Sequence, residues 1–166
     1  ILLLTMDEPM YMPRYLEPVV REYTDEISEV VIAPHPGETL QNVITQRLEM
    51  FGPVAFVKYG AHFGIGTLLG SLPFQIQQSA TGRYHSVPSL CNAYDVSVQV
   101  EKNINRDGFI NQAQSLNLDL ILSISCGQKL KSELLSIPTE GAINLHGSLL
   151  PKYRGRATAF WVLYHD

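Results

Sequence analysis

The chain has 166 residues, a mean hydropathy of +0.02 and a formal net charge of −4 from 12 basic and 16 acidic side chains. That length suits one domain with a real core, and a composition of 45% hydrophobic and 17% charged residues excludes a disordered tail, a collagen-like repeat and a coiled coil. The acidic balance argues against a general nucleic-acid binder. The two cysteines, Cys91 and Cys126, form neither a disulfide framework nor a zinc pattern, which points to the reducing cytoplasm.

Residues 1–5 (ILLLT) read as a buried strand that begins at once. Four apolar residues are too few for a signal-peptide core or a membrane span. Residues 9–23 have helical spacing, with Pro13 and Pro18 limiting where the helix can run. A second strand at 29–33 (EVVIA) is closed by the breaker Pro34-His35-Pro36-Gly37, and Thr39 can cap a helix running to Met50. Residues 51–72 are apolar, hold Gly60, Gly64, Gly66 and Gly70, and are interrupted by Lys58 and His62. The expectation is a buried or edge-packing helix, with a small-molecule or membrane-surface role as the alternative. Gly64-Ile65-Gly66 does not follow a strand in a first βα turn, so it is a weak dinucleotide signal.

Strand, helix, strand and helix then follow at 96–100, 107–117, 119–125 and 129–136, with Asp107 placing an acidic group in the first turn of its helix. A further strand at 141–146 (GAINLH) precedes a last helix at 157–164. This alternation predicts an α/β fold with a doubly wound, mostly parallel sheet covered on both faces, forming one domain over residues 1–166. The final apolar helix ends without a closing element, so the chain is expected to be the N-terminal part of a longer protein, truncated at its C-terminal end.

The residues that carry chemistry lie at 141–156. On a strand, positions i and i+2 share a face, so Ile143 and Leu145 point one way and Asn144 and His146 the other. The polar pair falls at the carboxyl end of its strand, where open parallel sheets bind ligands. An amide can donate to an oxyanion as a carbonyl becomes tetrahedral, and a near-neutral imidazole can donate to it or carry a proton. Gly147 lets the chain turn, Pro151 fixes the following loop, and Lys152, Arg154 and Arg156 put positive charge at the rim for phosphates or carboxylates. Ser148 either faces substrate or caps the turn locally. Cys126 offers a rival, a Cys/His nucleophile pair with His146 in a hydrolase. His35, His62, His85 and His165 lack metal-ligand spacing, so no metal is expected.

The run Asn144-x-His146-Gly-Ser148-Leu149-Leu150-Pro151-Lys-Tyr-Arg154-Gly155 resembles the signature of the 10-formyltetrahydrofolate-dependent formyltransferases, whose members act on methionyl-tRNA, glycinamide ribonucleotide and nucleotide amino sugars. Residues 119–130, ending Ser125-Cys126-Gly127-Gln128-Lys129-Leu130, are similar to that family's penultimate strand and the loop lining its folate pocket. The resemblance implies a Rossmann-like N-terminal domain with Asn144 and His146 as catalytic residues. It implies that Cys126, Gly127, Gln128, Lys129 and Leu130 bind 10-formyltetrahydrofolate, and that Ser148, Lys152 and Arg154 hold the acceptor. That acceptor is an amino-sugar nucleotide or methionyl-tRNA; the motif lies nearest to members that modify UDP-4-amino-4-deoxy-arabinose. The family's third catalytic residue, an aspartate, is expected beyond Asp166. A non-catalytic folate- or nucleotide-binding module of the same fold is the alternative.

Overall fold

A computed structural model describes residues 1–37, 39–155 and 158–165. Five strands, β1 (Leu2–Thr5), β2 (Glu29–Ile32), β3 (Val98–Val100), β4 (Leu120–Ile124) and β5 (Gly141–Leu145), form one parallel sheet in the order β3-β2-β1-β4-β5. The chain winds outward from β1 through β2 to β3, then crosses back to build β4 and β5 on the other side. The crevice between β1 and β4 is therefore the switch point of the sheet. Leu2, Leu3 and Leu4 fill the centre with no exposure, as a strand covered on both faces requires. Each such side chain contributes about 1.5–3 kcal/mol by leaving water.

Seven helices are described: α1 (Met12–Glu22), α2 (Leu40–Gly70), α3 (Phe74–Thr81), α4 (Val87–Ala93), α5 (Asp107–Ser115), α6 (Ser132–Leu135) and α7 (Thr158–His165). One apolar cluster joins Leu3, Val30, Ile32 and Ile124 to Leu16 and Val20 of α1 and to Val87, Leu90 and Cys91 of α4. A second joins Leu2, Leu4, Val31 and Ile121 to Phe109 and Ala113 of α5 and Leu134 of α6. The sheet is thus covered on both sides, as the alternating pattern predicted. The two helices the sequence pattern did not reveal, α3 and α4, carry ordinary signals: Pro73 precedes α3, left-handed Gly82 closes it, and the Ser86 hydroxyl accepts from Ser89 N at the start of α4.

Thr39 caps α2, its hydroxyl accepting from Asn42 N at 3.2 Å. The helix does not stop at Met50. Gly52 turns with φ +71° and Pro53 restarts the helix, which continues to Gly70. Residues 51–72 were expected to be buried or edge-packed, and only the second holds, along one side. A Cβ at Gly66 would lie 3.1 Å from Pro9 Cβ, and one at Gly70 would lie 2.8 Å from the His85 carbonyl oxygen, so these glycines let the helix close onto the domain. The opposite side is open to solvent. Gly64-Ile65-Gly66 lies within this helix and not in a βα turn, which removes the dinucleotide reading.

Candidate functional site

The sheet register fixes the faces of β5. Asn144 lies opposite Ser123, which lies opposite Leu4, so Asn144 is on the side of the sheet covered by α5 and α6. Ile143 pairs with Leu122 and Leu145 with Ile124, on the side of α1 and α4. Alternation along 143–145 therefore separates polar from apolar positions as expected, while the strand ends at Leu145 and His146 lies just beyond it. β5 is an outer strand, and Ile143 and Leu145 remain 57% and 62% exposed.

Beyond β5 the chain folds into a tight loop. The Ser148 hydroxyl shares its hydrogen between Lys152 O at 3.0 Å and Tyr153 O at 3.2 Å, and Lys152 N donates to Leu149 O at 3.1 Å. Tyr153 is left-handed, with φ +53°. Its carbonyl also receives His146 Nε2 at 3.3 Å. A carbonyl oxygen can only accept, so Nε2 carries the hydrogen of this bond. A Cβ at Gly147 would lie 2.6 Å from Thr158 Oγ1, so this glycine lets the start of α7 close over the loop.

The result is an open hollow of about 470 Å³ lined by His146, Gly147, Ser148, Leu149, Lys152, Tyr153 and Val162. Three of the predicted residues, His146, Ser148 and Lys152, gather there. Asn144 does not line it. Its amide is exposed one pleat back on β5, with no hydrogen bond to another described residue. Arg154 is exposed beside the loop, while Arg156 and Asp166 lie outside the described residues. The sequence did not reveal Leu149, Tyr153 and Val162 as lining residues; the helical spacing of 157–164 was the available signal for Val162.

The loop after β4 is built differently. Gly127 N donates to Ala33 O at 2.9 Å, and a Cβ at Gly127 would lie 2.5 Å from that oxygen, so the loop lies directly on the end of β2. Gln128 is buried. Its Oε1 accepts from Ile104 N at 3.0 Å and its Nε2 donates to Glu101 O at 3.0 Å, so both ends of the amide are spent on backbone. The Cys126 thiol donates to Gln128 O at 3.4 Å, and burial pushes its pKa up. A thiolate is disfavoured there, and no hydrogen bond joins Cys126 to His146 among the described residues, so the nucleophile pair loses its support. Lys129 is exposed and Leu130 half-buried. At the end of β1, the Asp7 carboxylate accepts from Val87 N at 2.8 Å and burial raises its pKa, tying the switch point to α4. Among the described residues, no three His, Cys, Asp or Glu side chains gather as metal ligands.

An open parallel sheet flanked by helices, with an imidazole and an exposed amide at the carboxyl end of one outer strand, defines an α/β protein of the Rossmann-like kind. The formyl transferase family model matches residues 78–165, and the chain belongs to that family as its Rossmann-like N-terminal domain. It is also similar to the methionyl-tRNA formyltransferase of Blochmanniella pennsylvanica, with 31% identity over 115 residues that cover 67% of this chain and 36% of that protein. The chain thus spans about a third of the length of that relative.

Proposed function

We propose that this domain binds 10-formyltetrahydrofolate and transfers its formyl group to a primary amine, as part of a longer enzyme. The observation that carries this reading is His146. It sits on the wall of the hollow, held through Nε2 by the Tyr153 carbonyl, with its other ring nitrogen uncommitted among the described residues. The hollow suits a flat donor with an anionic tail. Its size lies in the range of small-molecule sites, Leu149, Val162 and the Tyr153 ring supply apolar wall, and Lys152 supplies a cation. Leu130 and Lys129 are the side chains of the β4 loop still available to the donor, with Gly127 and Gln128 shaping the loop beneath them, and Cys126 beside them.

The amine nitrogen attacks the formyl carbon and its carbonyl oxygen becomes an oxyanion. The Asn144 amide donates to that oxygen, and the His146 imidazole takes the proton shed by the amine. The carbon–nitrogen bond to the folate then breaks, the proton ends on the folate nitrogen, and the products are an N-formyl amine and tetrahydrofolate. Asn144 must meet the hollow from one pleat away, so the acceptor lies across the end of β5. Ser148, Lys152 and Arg154 bound the same rim, where two exposed cations favour a phosphorylated acceptor. The aspartate expected beyond Asp166 would stabilise the charge that the imidazole gains when it takes the proton.

The named relative favours methionyl-tRNA as acceptor. An amino-sugar nucleotide rests on the 144–155 motif alone. Assaying the full-length protein with 10-formyltetrahydrofolate against methionyl-tRNA and UDP- and TDP-amino sugars decides between them. Formylation of none, with folate still bound, would establish the non-catalytic module instead.

A further inference from the structure

The part of α2 after its kink has two unlike sides. Residues 54, 57, 61, 65 and 68 recur at intervals of three or four and so share one side of the helix. They are Val54, Val57, Ala61, Ile65 and Leu68, and the four larger ones are 72%, 67%, 60% and 73% exposed. The domain side is made of Gly66 against Pro9 and Gly70 against His85, while Tyr59 stacks within the helix on Phe51 and Phe63, which stay 38% and 39% exposed. The helix therefore meets the domain through glycines and turns aliphatic side chains outward, the reverse of a surface helix. Gly60 and Gly64 flank the outer seam with nothing near them.

We infer that this seam lies on the surface of an anionic lipid bilayer. Charge is the first argument. The chain has 16 acidic residues, yet none falls between Glu49 and Asp95, while Lys58 sits beside the seam. This arm thus carries no side chain that anionic headgroups repel, within a protein that is otherwise acidic. Area is the second. The seam is about 21 Å long and one helix wide, on the order of 200 Å². That is far below the ~800 Å² per partner that a stable pair of proteins needs. A bilayer needs no complementary shape, and an aliphatic strip with a basic flank gains from both its interior and its headgroups. No described helix is long and apolar enough to cross a membrane.

Flotation of the full-length protein with vesicles tests this independently of any formyl transfer. One set is phosphatidylcholine alone, the other phosphatidylcholine mixed with phosphatidylglycerol. The protein is expected to float with the mixed vesicles. The double variant Val57→Asp/Leu68→Asp should lower that partition at least about tenfold, because it puts two charges into the buried strip. Lys58→Glu should lower it about fivefold or more on mixed vesicles and much less on phosphatidylcholine. These side chains are mostly exposed, so circular dichroism should be unchanged; Val57→Thr/Leu68→Gln replaces the double variant if it is not. Absence from both vesicle fractions overturns the proposal, as does a double variant that floats like the parent. A dimer in sedimentation velocity that the seam substitutions dissolve overturns it equally, since the seam then belongs to a second copy.

Discussion

The loops after β4 and β5 leave the same edge of the sheet side by side and use their polar side chains in opposite ways. In the β4 loop, Gln128 gives both ends of its amide to the backbone of residues 101 and 104, and Gly127 lies hard against Ala33. In the β5 loop, only the Ser148 hydroxyl and one nitrogen of His146 are spent locally, while Asn144, Lys152 and Arg154 project with no partner for their side chains among the described residues. A buried amide with unmet bonds would be costly, so the β4 loop is a fixed wall. Groups left exposed at a strand end are available to a ligand, which is why the proposed chemistry is placed on the β5 loop.

The comparison breaks most sharply at His146. His146→Ala should lower turnover of the full-length enzyme by about 10²–10⁴-fold, the range of a lost proton-transfer group, with folate affinity within a few fold. Titration of folate beside steady-state kinetics reads both. Retained turnover would remove His146 from the chemistry. Gln128→Leu should act on stability alone: it unpairs Ile104 N and Glu101 O at about 1–3 kcal/mol each, seen as a lower urea midpoint with turnover per folded molecule unchanged. Lost turnover at unchanged stability would mean that the β4 loop also touches substrate. Gly127→Ala forces a methyl toward Ala33 O and should cost about 1–3 kcal/mol in the same unfolding assay.

A smaller effect concerns pH. The Arg106 guanidinium donates to Glu101 at 3.0 and 2.6 Å and holds its carboxyl below its ordinary 4.5. A depressed carboxylate pKa favours the folded state above the unfolded value, and that contribution is lost as pH falls through the folded one. Stability should therefore decline below about pH 4.5, and less in Arg106→Gln, as thermal melts across acid pH would show. Least of all, Cys126→Ser should change turnover by no more than about twofold, because burial keeps the thiol protonated.

Much of the site was legible in residue order. Alternation through Ile143, Asn144, Leu145 and His146 put the amide on the face that the strand register gives it. Gly147 marked a turn, and of the two readings of Ser148 the local cap is the one its hydroxyl bonds match. The extension of α2 past Met50 was not legible, because Gly52-Pro53 reads locally as a stop and the helix resumes beyond it. Nor was the exposure of residues 51–72, since apolar composition alone suggests burial.

By itself the sequence determined the parallel strands, through the apolar runs at β1, β2 and β4, and the separation of faces on β5, because strand periodicity is a property of neighbours in the chain. The tertiary structure decided which polar groups remain free. Gln128 and Asn144 are both amides beside a strand end, and nothing local distinguishes them; the partners that occupy Gln128 come from 24 and 27 residues away. It also decided which side of α2 meets the domain, because Pro9 and His85 reach Gly66 and Gly70 only once the chain has folded.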